Sequence, residues 1–176
     1  MTIQTVLEVF QERVPKTFAF LVDRHGFSLH RNDDYAFVAK SHHCDVLIEL
    51  DWGSIVVSVR PLQTGRAVRL SFIVGAKNPT ILFLPRYPWG PEDVSEEIDR
   101  QADLLLSYCG DILNGDFSQW AALEAHQQQV LEQWRGESER PSGKRAPNSS
   151  AAAPRRRGRA GASRKRPSST RRSATT

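Results

Sequence analysis

His42-His43-Cys44-Asp45 is the one run in this chain made of metal-binding residue types, and His25 and His30 are the further histidines able to join it. Structural zinc takes a tetrahedral set, usually from spaced pairs such as CxxC or HxxxH. Adjacent residues at a strand start point to opposite faces, so His42 and His43 do not readily aim inward together. The run therefore reads as a polar strand edge ahead of a buried Cys44, and no metal is expected. Glu49 and Asp51 are two residues apart on one strand and share a face, with Asp23 a further acid near the sheet. Paired carboxylates can do acid–base work or hold a cation. More often such a pair is the solvated side of a half-exposed strand. Cys109 has no histidine near it in sequence, and Gly26, Gly53, Gly65 and Gly75 are isolated turn glycines that form no phosphate loop. No catalytic set and no cofactor site is expected, and the chain reads as a non-enzyme.

Binding residue types are better represented. Arg86, Tyr87 and Trp89 stand on the loop PRYPWGPED, residues 85–93, which three prolines and a glycine make rigid. Arg, Tyr and Trp dominate binding hot spots, and a stiff loop loses little entropy on docking. The other reading is that Tyr87 and Trp89 cover the end of the sheet where the chain turns into a helix. A second set lies near the C-terminus: Arg155, Arg156, Arg157 and Arg159, then Arg164, Lys165 and Arg166, then Arg171 and Arg172. Such clusters neutralise phosphates without reading sequence, and they also suit acidic protein or anionic lipid surfaces. PRRRGRAG distantly resembles an AT-hook, although Ala160 stands where a proline usually follows the Arg-Gly-Arg core. No aromatic interleaves these arginines, so base stacking is not supported. Non-specific nucleic acid, the chain's own acidic domain, or a merely solubilising role all remain open for the tail.

Charge is divided along the chain. Residues 1–135 hold 12 Lys+Arg and 18 Asp+Glu, a net of −6. Residues 136–176 hold 12 Lys+Arg and two acids, Glu137 and Glu139, a net of +10. The basic pI thus belongs to the tail. Two cysteines make no disulfide framework, which fits a reducing cytoplasm. The N-terminus lacks a basic segment followed by an apolar run, and no stretch approaches the ~20 apolar residues of a membrane span.

The elements that position these residues are an N-terminal helix, an antiparallel meander of four or five strands, and two C-terminal helices. Cys44 to Arg60 alternates with period two and turns at Trp52-Gly53, where Gly53 can supply a positive φ. Residues 3–24 read as helix in two pieces, with Pro15 breaking or kinking the run and Gly26 capping the second piece. Tyr35 to Lys40 reads as the first strand, after a polar loop at 31–34. Val68 to Gly75 reads as another strand, and Thr80 to Leu84 as a last strand or a connector. Pro91, Glu92 and Asp93 open a helix to about Asn114, and Ser118 caps one running to about Arg135. That second helix carries Trp120, Leu123, Val130, Leu131 and Trp134 as its apolar stripe. Residues 136–176 contain no Leu, Ile, Val, Phe, Tyr or Trp and are expected to be disordered, which sets a domain of 1–135 against the tail.

FAFLVDRHGF followed by a strand and then VLIELDWGSIVVSV resembles a broad set of small bacterial α+β proteins. These carry an N-terminal helix ending in a Phe-Leu-x-x-x-x-Gly-Phe turn and a β-meander, and some are similar to immunity proteins of toxin systems. The resemblance covers about residues 5–115. It implies a non-enzymatic, protein-binding role, and an acidic body would suit a basic toxin. The expectation is an α+β domain that binds a protein partner, with non-specific nucleic-acid binding through the tail as the alternative.

Overall fold

The computed structural model describes residues 5–81 and 90–138, with side chains to residue 136. Its contacts group residues 1–140 as one unit and 141–176 as another, and every described residue belongs to the first. The loop bearing Arg86, Tyr87 and Trp89, the end of the apolar run at 82–84, and all nine tail cations from Arg155 to Arg172 lie outside the described residues.

Thr5 starts α1 (Val6–Thr17) with a reciprocal cap. The Glu8 N–H donates to Thr5 Oγ1 at 3.2 Å, and the Thr5 N–H donates to Glu8 Oε2 at 2.7 Å. Pro15 does not break this helix. It sits inside α1, exposed, and the chain turns only at Phe18, whose N–H still reaches the Val14 carbonyl at 3.0 Å. Val9, Phe10 and Val14 are buried on the same helix, and this packing holds the run together past the missing N–H. α2 (Ala19–His25) ends as expected at Gly26, with φ 68°, whose N–H bonds the Val22 carbonyl at 3.2 Å.

Five strands follow in the order β1 (Ser28–Arg31), β2 (Ala36–Lys40), β3 (Cys44–Asp51), β4 (Ser54–Pro61) and β5 (Val68–Arg69), each antiparallel to its neighbours. This is the expected antiparallel meander of an α+β fold. β1 begins the sheet one strand earlier than the alternation indicates. Its four residues, SLHR, are mostly exposed, and pairing with β2 rather than a buried face makes them a strand. Phe37, Ala39, Val46, Ile48, Val57 and Val59 lie in register on one face and are buried. Burying each of the larger ones contributes about 1.5–3 kcal/mol. α1 and α4 (Pro91–Leu113) pack together, and Ile98, Leu105, Cys109 and Ile112 of α4 join the same core.

The expected strand over Val68–Gly75 is corrected. Only Val68 and Arg69 pair with β4, and Leu70–Lys77 forms helix α3. Leu70, Phe72, Ile73 and Val74 are all buried, because α3 lies between the sheet and helices α4 and α5 (Trp120–Ser138). An apolar run buried on every side carries no face information, so alternation there is accidental. α5 runs to Ser138, and Asp116 rather than Ser118 supplies the side-chain acceptor ahead of it. The Ser118 N–H donates to Asp116 Oδ1 at 2.9 Å, which holds that carboxyl below its usual range. Of the expected α5 stripe, Trp120 and Leu123 are buried and Val130 and Leu131 half-buried. Trp134 is exposed, with its ring 5.9 Å from that of Phe72.

The short β5 edge is closed by a side chain. Gln127 of α5 accepts from the Arg69 N–H at 3.0 Å and donates to the Ala67 carbonyl at 3.1 Å, taking the place of a neighbouring strand. Among the described residues no helix is long and apolar enough to cross a membrane.

Candidate functional site

The β3–β4 hairpin closes on the pair Asp51 and Ser54, which leaves Trp52 and Gly53 as a two-residue turn. Both have positive φ, 47° and 80°, the type I′ pattern that follows the twist of the strands. Gly53 fulfils the glycine expectation. Trp52 does not belong in that geometry on local grounds, since the left-handed region favours Gly, Asn and Asp. Its side chain is 95% exposed, so no core contact explains its presence.

The neighbouring turn brings further groups to the same end of the sheet. The Leu50 N–H donates to the Tyr35 carbonyl at 2.8 Å, which extends the β2–β3 ladder to Tyr35, itself 56% exposed. Asp33 fixes this turn by accepting from the Tyr35 N–H at 2.7 Å. Asp34 pairs with Arg31, and its carbonyl accepts from Gln11 Nε2 of α1 at 3.1 Å. Glu49 and Asp51 share a face, as their spacing predicts. Partial burial, reinforced by the charges of Asp51 and Asp33 and opposed by Arg69, raises the Glu49 carboxyl above its usual range. Trp52 and Tyr35, both exposed, thus lie at this end of the sheet, with Tyr35 opposite Leu50, and the half-buried Glu49 carboxyl there feels the charges of Asp51 and Asp33.

Several of the other residues weighed from the sequence serve structural roles. The rings of His42 and His43 lie 3.7 Å apart, in the β2–β3 turn rather than on a strand. Ser41 Oγ holds that turn by accepting from the N–H groups of His43 and Cys44 at 3.2 and 3.1 Å. The His43 ring packs against Gly115, where a Cβ would meet it at 3.0 Å, and His25 Nδ1 lies 3.0 Å from Asn114 Oδ1. Two histidines therefore brace the α4–α5 connection. His30 stands exposed on β1, and no metal-binding cluster occurs among the described residues. Burial pushes the Cys44 thiol up to about 11 and the Cys109 thiol up to about 12, so neither is a thiolate nucleophile near neutrality. Asp23 is exposed on α2.

Two open clefts lie away from the hairpin. One of about 520 Å³, between α3 and the α4–α5 region, is bordered by Lys77, but that ammonium is committed to Asp111 and to the Tyr108 carbonyl. The other, of about 270 Å³ between α1 and α4, is bordered by Arg13, which pairs with Asp99, and Lys16, which pairs with Glu12. Neither gathers a set of uncommitted reactive groups.

Sequence reasoning placed Trp52 at a turn but did not single it out for binding. The signal was present: an aromatic at the first turn position, where Asn or Asp is usual. Compared with protein-family models, curated proteins and solved structures, the chain matches none.

Proposed function

We propose that this chain is a non-enzymatic binding protein of the cytoplasm whose acidic α+β domain docks a protein partner through the end of its β-sheet, in the manner of an immunity protein. The observation that carries this is Trp52, 95% exposed and held at positive φ on a tightly paired hairpin. An exposed aromatic in an unfavourable backbone region is costly to stability and is commonly kept for what it touches. Tyr35 adds a second aromatic, and the net of −6 over residues 1–135 favours a basic partner surface. The test is capture by the full chain beside Trp52→Ala. A partner retained by the first and lost by the second supports the assignment; a partner held equally by both refutes docking at the hairpin.

A second role has its own support. The net of +10 over residues 136–176 suits non-specific contact with nucleic acid. DNA affinity should then fall steeply with salt and disappear when the tail cations become glutamine. A salt-independent affinity would refute it.

A further inference from the structure

We propose that the hairpin end recognises arginine: a partner's guanidinium stacks on the Trp52 indole while its N–H groups bond the carboxylates of Asp51 and Glu49. This rests on the docking assignment above and names the chemistry of the partner. The nearly fully exposed Trp52 directly follows the exposed Asp51, with the half-buried Glu49 two residues before Asp51 on the same strand face, and this combination is matched by a side chain that is both planar and cationic. Arginine stacks on aromatic faces and bonds carboxylates in a bidentate fork, whereas lysine offers only a point charge. Among the described residues no Lys, Arg or His forms an ion pair with Asp33, Glu49 or Asp51. Other acids of the fold are engaged: Asp45 with Arg60, Asp99 with Arg13, Asp111 with Lys77, and the buried Glu97 with Arg100. The sheet end therefore combines exposed aromatic surface with carboxylates held in no salt bridge among the described residues, and charge complementarity selects a basic occupant.

The charge state of Glu49 adds a signature. Its carboxyl is raised by burial, Asp51 and Asp33, against the pull of Arg69. A docked cation favours the ionised form, so affinity should weaken as pH falls through the titration of Glu49.

The experiment titrates the isotope-labelled full chain with octa-arginine and, separately, octa-lysine, following amide and indole resonances. A second full-length host with the nine cations between Arg155 and Arg172 replaced by glutamine removes competition from the chain's own arginines. The expected result is shifts centred on the Trp52 indole N–H and the amides of Tyr35, Asp51 and Gly53, with octa-arginine binding more tightly than octa-lysine. Trp52→Ala should weaken octa-arginine by about two- to fivefold, and Glu49→Gln should flatten the pH dependence. Trp52 is exposed, so its removal leaves the core intact. Shifts centred on the α4 acids Glu92, Asp93 and Glu96, or equal binding of both peptides unaffected by Trp52→Ala, would overturn the proposal. If octa-arginine misses the hairpin end while Trp52→Ala still loses a captured partner, the arginine chemistry falls and docking stands. If the captured partner also ignores Trp52→Ala, both fall.

Discussion

Replacing Trp52 by asparagine should make the protein more stable. Trp52 holds φ 47° in the turn, a region that costs a side chain other than Gly, Asn or Asp about 1–2 kcal/mol. Asparagine tolerates that region and, followed by Gly53, completes the Asn-Gly pair that type I′ turns favour. The indole is 95% exposed, so removing it forfeits almost no buried apolar area. The difference leaves a gain of about 0.5–1.5 kcal/mol, or about 2–5 °C in Tm for a domain of this size. Urea unfolding of full-length Trp52→Asn beside the parent measures it through the midpoint at unchanged slope. Gly53→Ala serves as the opposite control, with an expected loss of about 1 kcal/mol because φ is 80° there. The same Trp52→Asn chain should bind its partner more weakly, trading function for stability. A loss of more than about 0.5 kcal/mol would mean the indole is stabilising, and the inference from strain to function would fail with it.

Gly115→Ala should cost about 2 kcal/mol or more, since φ is 92° and the new Cβ meets the His43 ring at 3.0 Å; His43→Ala in that background should recover part of the loss in urea unfolding, and no recovery would contradict the contact. Gln127→Ala should cost about 1 kcal/mol and speed hydrogen exchange at the Arg69 amide, while unchanged exchange would show that the edge is protected by something else. Stability should decline as pH rises beyond about 9, because burial raises Cys44 to about 11 and Cys109 to about 12, and a raised folded pKa favours the fold only until the unfolded thiols ionise. Cys109→Ala should lessen that decline, and rapid labelling of both thiols in the native protein at pH 8 would show that they are not buried as described.

What could be read in advance depended on how far each residue's environment is local. Val46, Ile48 and Leu50 alternate with Leu47, Glu49 and Asp51, and the sheet uses that alternation because one face meets the helices and the other does not. Gly26 and Gly53 were legible as left-handed positions, since the helix end and the turn demand positive φ whatever packs around them. The pairing of Glu49 with Asp51 on one face follows from strand period alone. The influence of Asp33 on Glu49 does not, because it depends on the register of β2 against β3 and on a turn stabilised by its own Asp33.

By itself, the amino-acid order determined the α+β class, the central hairpin with its turn, the cap at Gly26, the two long C-terminal helices and the division of charge. These rest on period, turn chemistry and composition, which act within a few residues. Tertiary structure alone decided that Leu70–Lys77 coils into a helix, since burial on all sides removes the pattern that tells strand from helix. It decided that Pro15 stays inside α1, where packing of Phe10 and Val14 outweighs the lost hydrogen bond. It made Ser28–Arg31 a strand through pairing with β2. It also left Trp52 in the open, because whether an apolar side chain is core or surface depends on what the rest of the chain places against it.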